Sequence, residues 1–224
     1  MNLSKTLAAA AAVLTLGTTA ANAATISFTD QNVTAPSITY TADGVSVTAT
    51  AATWTEDSYD VHSGTGTGTI DLLGDFHDSA VLDTSSFGMA LTNAVFLPGL
   101  LNIPLDGHQI DGEGNRDLVL FEFDQAVRLT GLAFSFVDEA DDFVLFAADS
   151  TGAMSVFSLM DVMSGNVALD VVGQSFGIGA FGADDAFKLT AMSFDLAPVP
   201  LPAAAPLFAG AMVLGGLARR RARH

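Results

Sequence analysis

Residues 117–123 read DLVLFEF and, after Asp124, Gln125 and Ala126, residues 127–136 read VRLTGLAFSF. Runs of this length, rich in Val, Leu, Thr and Phe and without helical periodicity, are strand signatures. Two such runs joined around Asp124 and Gln125 predict a β-hairpin, with strands over 118–123 and 127–137. Upstream, Val45, Val47, Ala49 and Ala51 alternate with Ser46, Thr48 and Thr50. That alternation predicts a half-buried antiparallel strand with one apolar and one hydroxyl-lined face. Further strands are expected over 37–41, 143–148, 154–159, 167–172 and 187–194. Eight or more short strands separated by Gly, Asp, Asn and Pro clusters predict an all-β antiparallel sandwich. Residues 64–69, GTGTGT, are low in complexity, but no Pro- or Ser-rich linker divides the middle of the chain, which predicts a single domain over 24–198.

Charge separates that domain from the ends. Residues 24–198 hold all 25 acids and only three bases, Arg116, Arg128 and Lys188, a formal charge of −22 against −17 for the 224-residue chain. Such a surface repels nucleic acid and anionic membranes, keeps an exported protein soluble, and concentrates cations and basic partners. Nucleic-acid binding is excluded. The absence of cysteine removes disulfides, thiolate nucleophiles and Cys-ligated metals. A domain of about 175 residues buries roughly 70% of its unfolded surface and needs no such staples.

Residues 1–23 carry Lys5, then the apolar stretch 7–16, then small residues up to Ala23. Signal peptidase requires small side chains at the −3 and −1 positions, which Ala21 and Ala23 supply for a cut before Ala24. A retained anchor would need about 20 apolar residues, roughly twice what is present. At the other end Val199, Pro200, Leu201, Pro202 and Ala203 open an apolar run to Ala218, followed by Arg219, Arg220, Arg221, Ala222, Arg223 and His224. The prolines hold an extended segment, the apolar run can enter a bilayer as a helix, and the arginines resist translocation. From Leu201 to Ala218 a helix spans about 27 Å, close to the roughly 30 Å hydrocarbon core.

Residues 199–224, from the VPLPA motif through the apolar run to the basic end, resemble the VPLPA-type branch of the PEP-CTERM sorting signals. The resemblance implies that Val199 to Ala203 is recognised by an exosortase, a multi-spanning membrane protease, with signal peptidase acting at the other end. It also implies that Arg219, Arg220, Arg221 and Arg223 fix the membrane orientation, and that exopolysaccharide is a partner of the delivered protein. The acid-Leu-x-x-Phe-x-Phe pattern of 117–123 resembles strands of exported PEP-CTERM cargo domains, which implies a jelly-roll-like sandwich. The chain is then expected to cross the inner membrane, to be anchored there transiently or stably, and to reach the cell surface or extracellular matrix.

For chemistry, Asp111, Glu113, Asn115 and Asp117 fall on alternate positions of a Gly-rich loop, with Glu122 eleven residues after Asp111. The spacing echoes a calcium loop, although Arg116 stands where that loop has glycine and Glu122 falls in an expected strand. A solvated turn is the alternative. Asp138, Glu139, Asp141 and Asp142, and separately Asp184 and Asp185, are expected in solvated loops. His62, His77 and His108 lack metal-site spacing, and no nucleophile elbow, zinc-protease helix or phosphate loop occurs. Trp54, Tyr40 and Tyr59 are expected in the core, with sugar stacking as the alternative. The expected function is a non-enzymatic exported surface or matrix protein. A secreted carbohydrate-binding or carbohydrate-cleaving module, or an uncut membrane-anchored domain, is the alternative.

Overall fold

In the computed structural model, which describes residues 23–72, 78–95, 103–104, 108–113, 116–148, 152–162 and 165–197, every regular element is a β-strand. The first seven are β1 (Ala24–Ser27), β2 (Thr34–Ala35), β3 (Ser37–Ala42), β4 (Val45–Asp60), β5 (Thr65–Leu72), β6 (Asp78–Ser85) and β7 (Gly88–Val95). They are followed by β8 (Ile103–Pro104), β9 (Ile110–Asp111), β10 (Arg116–Ser135), β11 (Asp142–Ala147), β12 (Val156–Asp161), β13 (Asn166–Ala180) and β14 (Ala186–Leu196). Each expected strand of the sequence overlaps one of these, with bounds differing by one or two residues at 127–137, 143–148 and 154–159, and the pairings are antiparallel.

The expected hairpin around Asp124 and Gln125 does not form. Residues 118–123 and 127–135 are halves of the single strand β10, and they pair with different neighbours: the first half with β4, the second with β14, and both with β13. A two-residue hairpin turn needs positive φ at its central residues. Asp43 (φ 50°) and Gly44 (φ 79°) meet that condition and close the β3–β4 hairpin, whereas none of residues 124–126 adopts positive φ. Instead the β10–β13 register shifts between Glu122 and Val127, and Gln174 Nε2 donates to Phe123 O at 3.0 Å across the irregularity. β10 therefore turns a corner here, carrying its two halves onto opposite walls of the main core.

That core contains Val119, Phe121 and Phe123 from the first half of β10 and Leu129, Leu132 and Phe134 from the second. Phe28, just after β1, bridges the walls, with its ring 5.1 Å from Tyr40 and 5.8 Å from Phe121. Strand alternation sends the intervening side chains to the other face. There Ala52 and Trp54 of β4, Leu118 and Leu120 of β10, Val144 and Phe146 of β11 and Phe157 of β12 form a second, smaller core.

The second core lies where the pairings close on themselves: β4 to β10, β13, β11, β12, β5 and back to β4. Six strands enclose little room, and glycine makes it available. A Cβ on Gly66 or Gly68 of β5 would strike the Phe157 ring or approach Trp54 and Phe146, and one on Gly177 or Gly179 of β13 would crowd Leu118, Phe146 or Trp54. The low-complexity GTGTGT thus alternates buried glycine with outward threonine, the reverse of the usual strand pattern.

The two chain ends of the described body meet at one pole. Ala24 pairs with Phe194, and Ala197 N–H donates to Ala126 O at 3.3 Å beside the β10 corner. The opposite pole gathers residues 110–113, 116–117, 136–142 and 181–186.

Candidate functional site

The pole opposite the chain ends brings together the three acidic segments singled out in the sequence. Asp111 N–H points to Asp117 Oδ2 at 3.4 Å, Glu113 N–H donates to Asp111 Oδ1 at 3.0 Å, and Gly112 N–H donates to Asp185 O at 3.1 Å. Asp111 also pairs with Ala186 across the β9–β14 ladder. These acids do not all face solvent, as the loop expectation had it. Asp117, Asp141 and Asp185 are buried.

The reason is backbone satisfaction. Asp141 Oδ1 accepts from Ala186 N–H at 2.9 Å, and Asp185 Oδ1 accepts from Asp142 N–H at 2.8 Å. Each carboxylate thus holds the residue that follows the other, clasping the start of β11 to the start of β14. The remaining oxygens accept from Asp138 N–H and from Phe181 and Gly182 N–H. Buried amides need partners, and a carboxylate supplies several at once. Asp-Asp just before a Phe-bearing strand, at 141–142 before Phe143 and at 184–185 before Phe187, is the sequence signal of the clasp.

The clasp concentrates negative charge. Burial pushes the Asp185 carboxyl up, opposed by its hydrogen bonds from Gly182, Asp142 and Phe181. Burial also raises Asp142, reinforced by repulsion from Asp185, Asp161, Asp141 and Asp184.

Of the calcium-loop positions, Asp111, Glu113 and Asp117 adjoin one another, whereas Glu122 lies five residues farther along β10, about 16 Å at strand rise, and is exposed. Asn115 lies outside the described residues. Among the described residues no three His, Asp or Glu side chains are grouped to hold a metal ion. His108 is exposed, 3.1 Å from Thr92 Oγ1 and 3.4 Å from Asp83; His62 is also exposed, and His77 lies outside the described residues.

Trp54 and Tyr40 are buried, so neither presents a face for sugar stacking. Trp54 Nε1 donates to Ala180 O at 2.9 Å, and its ring packs against Phe146, Phe157 and Phe181. Arg116 closes this aromatic group, its guanidinium 4.8 Å from the Trp54 ring centre and 5.1 Å from that of Phe181, while bonding Glu56 at 3.0 Å. The arginine that departs from the calcium-loop pattern is therefore a stacking residue of the small core.

At the pole of the chain ends, Ala23 is exposed and Ala24 is buried as the first residue of β1. Ala21 lies outside the described residues. So do Val199, Pro200, Leu201, Pro202, Ala203, Arg219, Arg220, Arg221 and Arg223, and with them the expected membrane helix. No protein family, no characterised protein and no solved structure matches the chain.

Proposed function

We propose that the chain is an exported, non-enzymatic surface or matrix protein. In this reading signal peptidase cuts before Ala24, and residues 199–224 hand the protein to an exosortase-type membrane protease. The observation that carries the reading is where the described strands lie relative to the two expected cuts. β1 begins at Ala24, β14 ends at Leu196, and these two strands pair with each other. A cut at each expected signal therefore removes no strand and breaks no pairing among the described residues. A signal read wrongly into a domain's own sequence would be expected to cut into its elements.

The finer architecture in this reading is a jelly-roll-like sandwich, its main core between the two walls joined at the β10 corner and the glycine-lined ring appended to one wall. Val199 follows Leu196 by three residues, a reach of about 10 Å. The pole of the chain ends accordingly faces the inner membrane until the tail is cut, and the acidic pole points away from it. A charge of −22 on residues 24–198 suits a body that must stay apart from its copies and from anionic lipid while it waits.

The test is the intact mass of the protein in surface and membrane fractions of its host. A species starting at Ala24 and ending near Val199 to Ala203 is expected. A surface species that retains Arg223 and His224 would make the chain an uncut anchored domain and defeat the sorting reading.

A further inference from the structure

The pole of the chain ends holds a carboxylate oxygen whose partner the cut itself would create. Asp195 Oδ1 is buried, and among the described residues it has no hydrogen-bond partner. On one side of Asp195 stands Arg128, its register partner on β10, but the Arg128 guanidinium lies against Asp170 of β13 at 3.4 Å. On the other side stands β1. Its register with β14 runs Ala24 to Phe194, Thr25 to Ser193 and Ile26 to Met192, so the position before Ala24 falls opposite Asp195.

The ladder fixes where the Ala24 nitrogen points. Phe28 N–H donates to Thr190 O at 2.9 Å. Antiparallel pairs alternate between hydrogen-bonded and open, so Ala24, four residues earlier, is again in a hydrogen-bonded pair with Phe194. Its nitrogen is directed at the carbonyl of the residue immediately before Asp195. On the outer face of the same ladder Thr25 and Ser193 hydroxyls are 3.0 Å apart, which shows that side chains of β1 and β14 reach one another there.

We infer that Asp195 is the receptor for the α-ammonium released at Ala24 when the signal peptide is removed. The inference rests on the export reading above. In the precursor the group at this place is the neutral amide of the Ala23–Ala24 bond. Hydrolysis breaks that C–N bond: water supplies hydroxyl to the Ala23 carbonyl carbon and a proton to the Ala24 nitrogen. The resulting amine, with an ordinary pKa of about 7.7–8.0, takes up a further proton and is mostly cationic at neutral pH. One of its hydrogens keeps the bond to Phe194 O, and another is free for Asp195. The charged groups the ladders place around it are Asp195 on β14, Arg128 on β10 and Asp170 on β13; β1 itself contributes none. Processing thus converts β1 from a strand with a neutral entry into one pinned by a charge-assisted bond to the last strand of the fold.

The processed protein has only two amines, the Ala24 α-amine and Lys188, since Lys5 leaves with the signal segment. The α-amine titration is therefore followed by NMR in 13C-labelled processed protein, on the Ala24 Cα and Cβ shifts, with Lys188 Cε reporting the second amine and every ammonium hydrogen left in place. The α-amine is expected to titrate above its ordinary range, by about one unit, and to return to it in Asp195→Asn. Asp195→Asn is also expected to lower the melting temperature of the processed protein by about 2–4 °C, and to leave uncut protein, made with Ala23→Phe at the cleavage site, unchanged. An ordinary α-amine in the wild type, or the same loss of melting temperature in cut and uncut protein, would overturn the pairing while leaving the export reading intact. A mass that does not begin at Ala24 defeats the cleavage position, and the pairing with it.

Discussion

Adding one methyl group at Gly179 tests whether the small six-strand ring is packed as described. A Cβ there would lie 2.4 Å from Asp117 O, 3.2 Å from Leu118 Cβ and 3.2 Å from Trp54 Nε1. The first contact is with backbone, in the strand that pairs directly with Gly179, so relief requires β10 and β13 to part by most of an ångström. Overpacking of this kind costs about 1–3 kcal/mol. Gly179 does not have positive φ, so alanine gains about 0.4–1 kcal/mol by restricting the unfolded chain. A net loss of about 1.3 kcal/mol is expected, or roughly 3–5 °C in a domain of this size. Gly177→Ala is the matched control. Its Cβ would meet only the Leu118 methyls at 3.1 and 3.4 Å and Phe146 Cβ at 3.2 Å, and small side-chain shifts bring it near neutral. Trp54 is the protein's only tryptophan and sits inside the ring, so its fluorescence during urea unfolding reports on the ring, while far-UV circular dichroism follows all the strands. If Gly179→Ala is no less stable than Gly177→Ala by both probes, the steric argument for the glycine-lined ring is refuted.

Trp54→Phe removes the donor to Ala180 O and leaves a gap beside Phe157, and a loss of about 2–3 kcal/mol in urea unfolding is expected. For pH, the raised Asp185 and Asp142 carboxyls hold protons more tightly in the folded than in the unfolded chain. Their stabilising contribution is complete below the unfolded carboxylate range, about pH 4, and is lost as pH rises through their raised folded values. The urea midpoint is therefore expected to fall as pH rises from about 4, and Asp185→Asn should flatten that slope; a midpoint that climbs over the same range would contradict the assignment. Replacing Pro200 and Pro202 by Ala is expected to trap the protein in the inner membrane with its tail attached, as read by intact mass, whereas normal release would count against recognition of the motif.

Much of the fold was legible because it is local. Alternation at 45–51 marked both faces of the first part of β4, and each expected apolar run met a strand. Charge is local in the same way: the acids all fall between the small and apolar end segments, and β1 and β14 lie within that acidic stretch. Of the acidic pole, the sequence showed its carboxylates but not their burial.

What the sequence could not show were facts about which distant segments meet. Periodicity assigns a residue to a face but does not choose the neighbouring strand, so residues 117–136 resemble a hairpin until β13, β4 and β14 claim the two halves separately. GTGTGT looks like filler until Phe157 and Trp54, from other strands, need the space that Gly66 and Gly68 leave. Asp141 and Asp185 look solvated until each meets the backbone amide beside the other, and Asp195 looks ordinary until β1 is laid along β14. The sequence by itself determined strands and their faces, because those follow from side-chain chemistry at spacings of one or two residues. Only the tertiary structure decided the ring, the clasp and the meeting of the first and last strands, because these arise from pairings between residues dozens to more than a hundred positions apart.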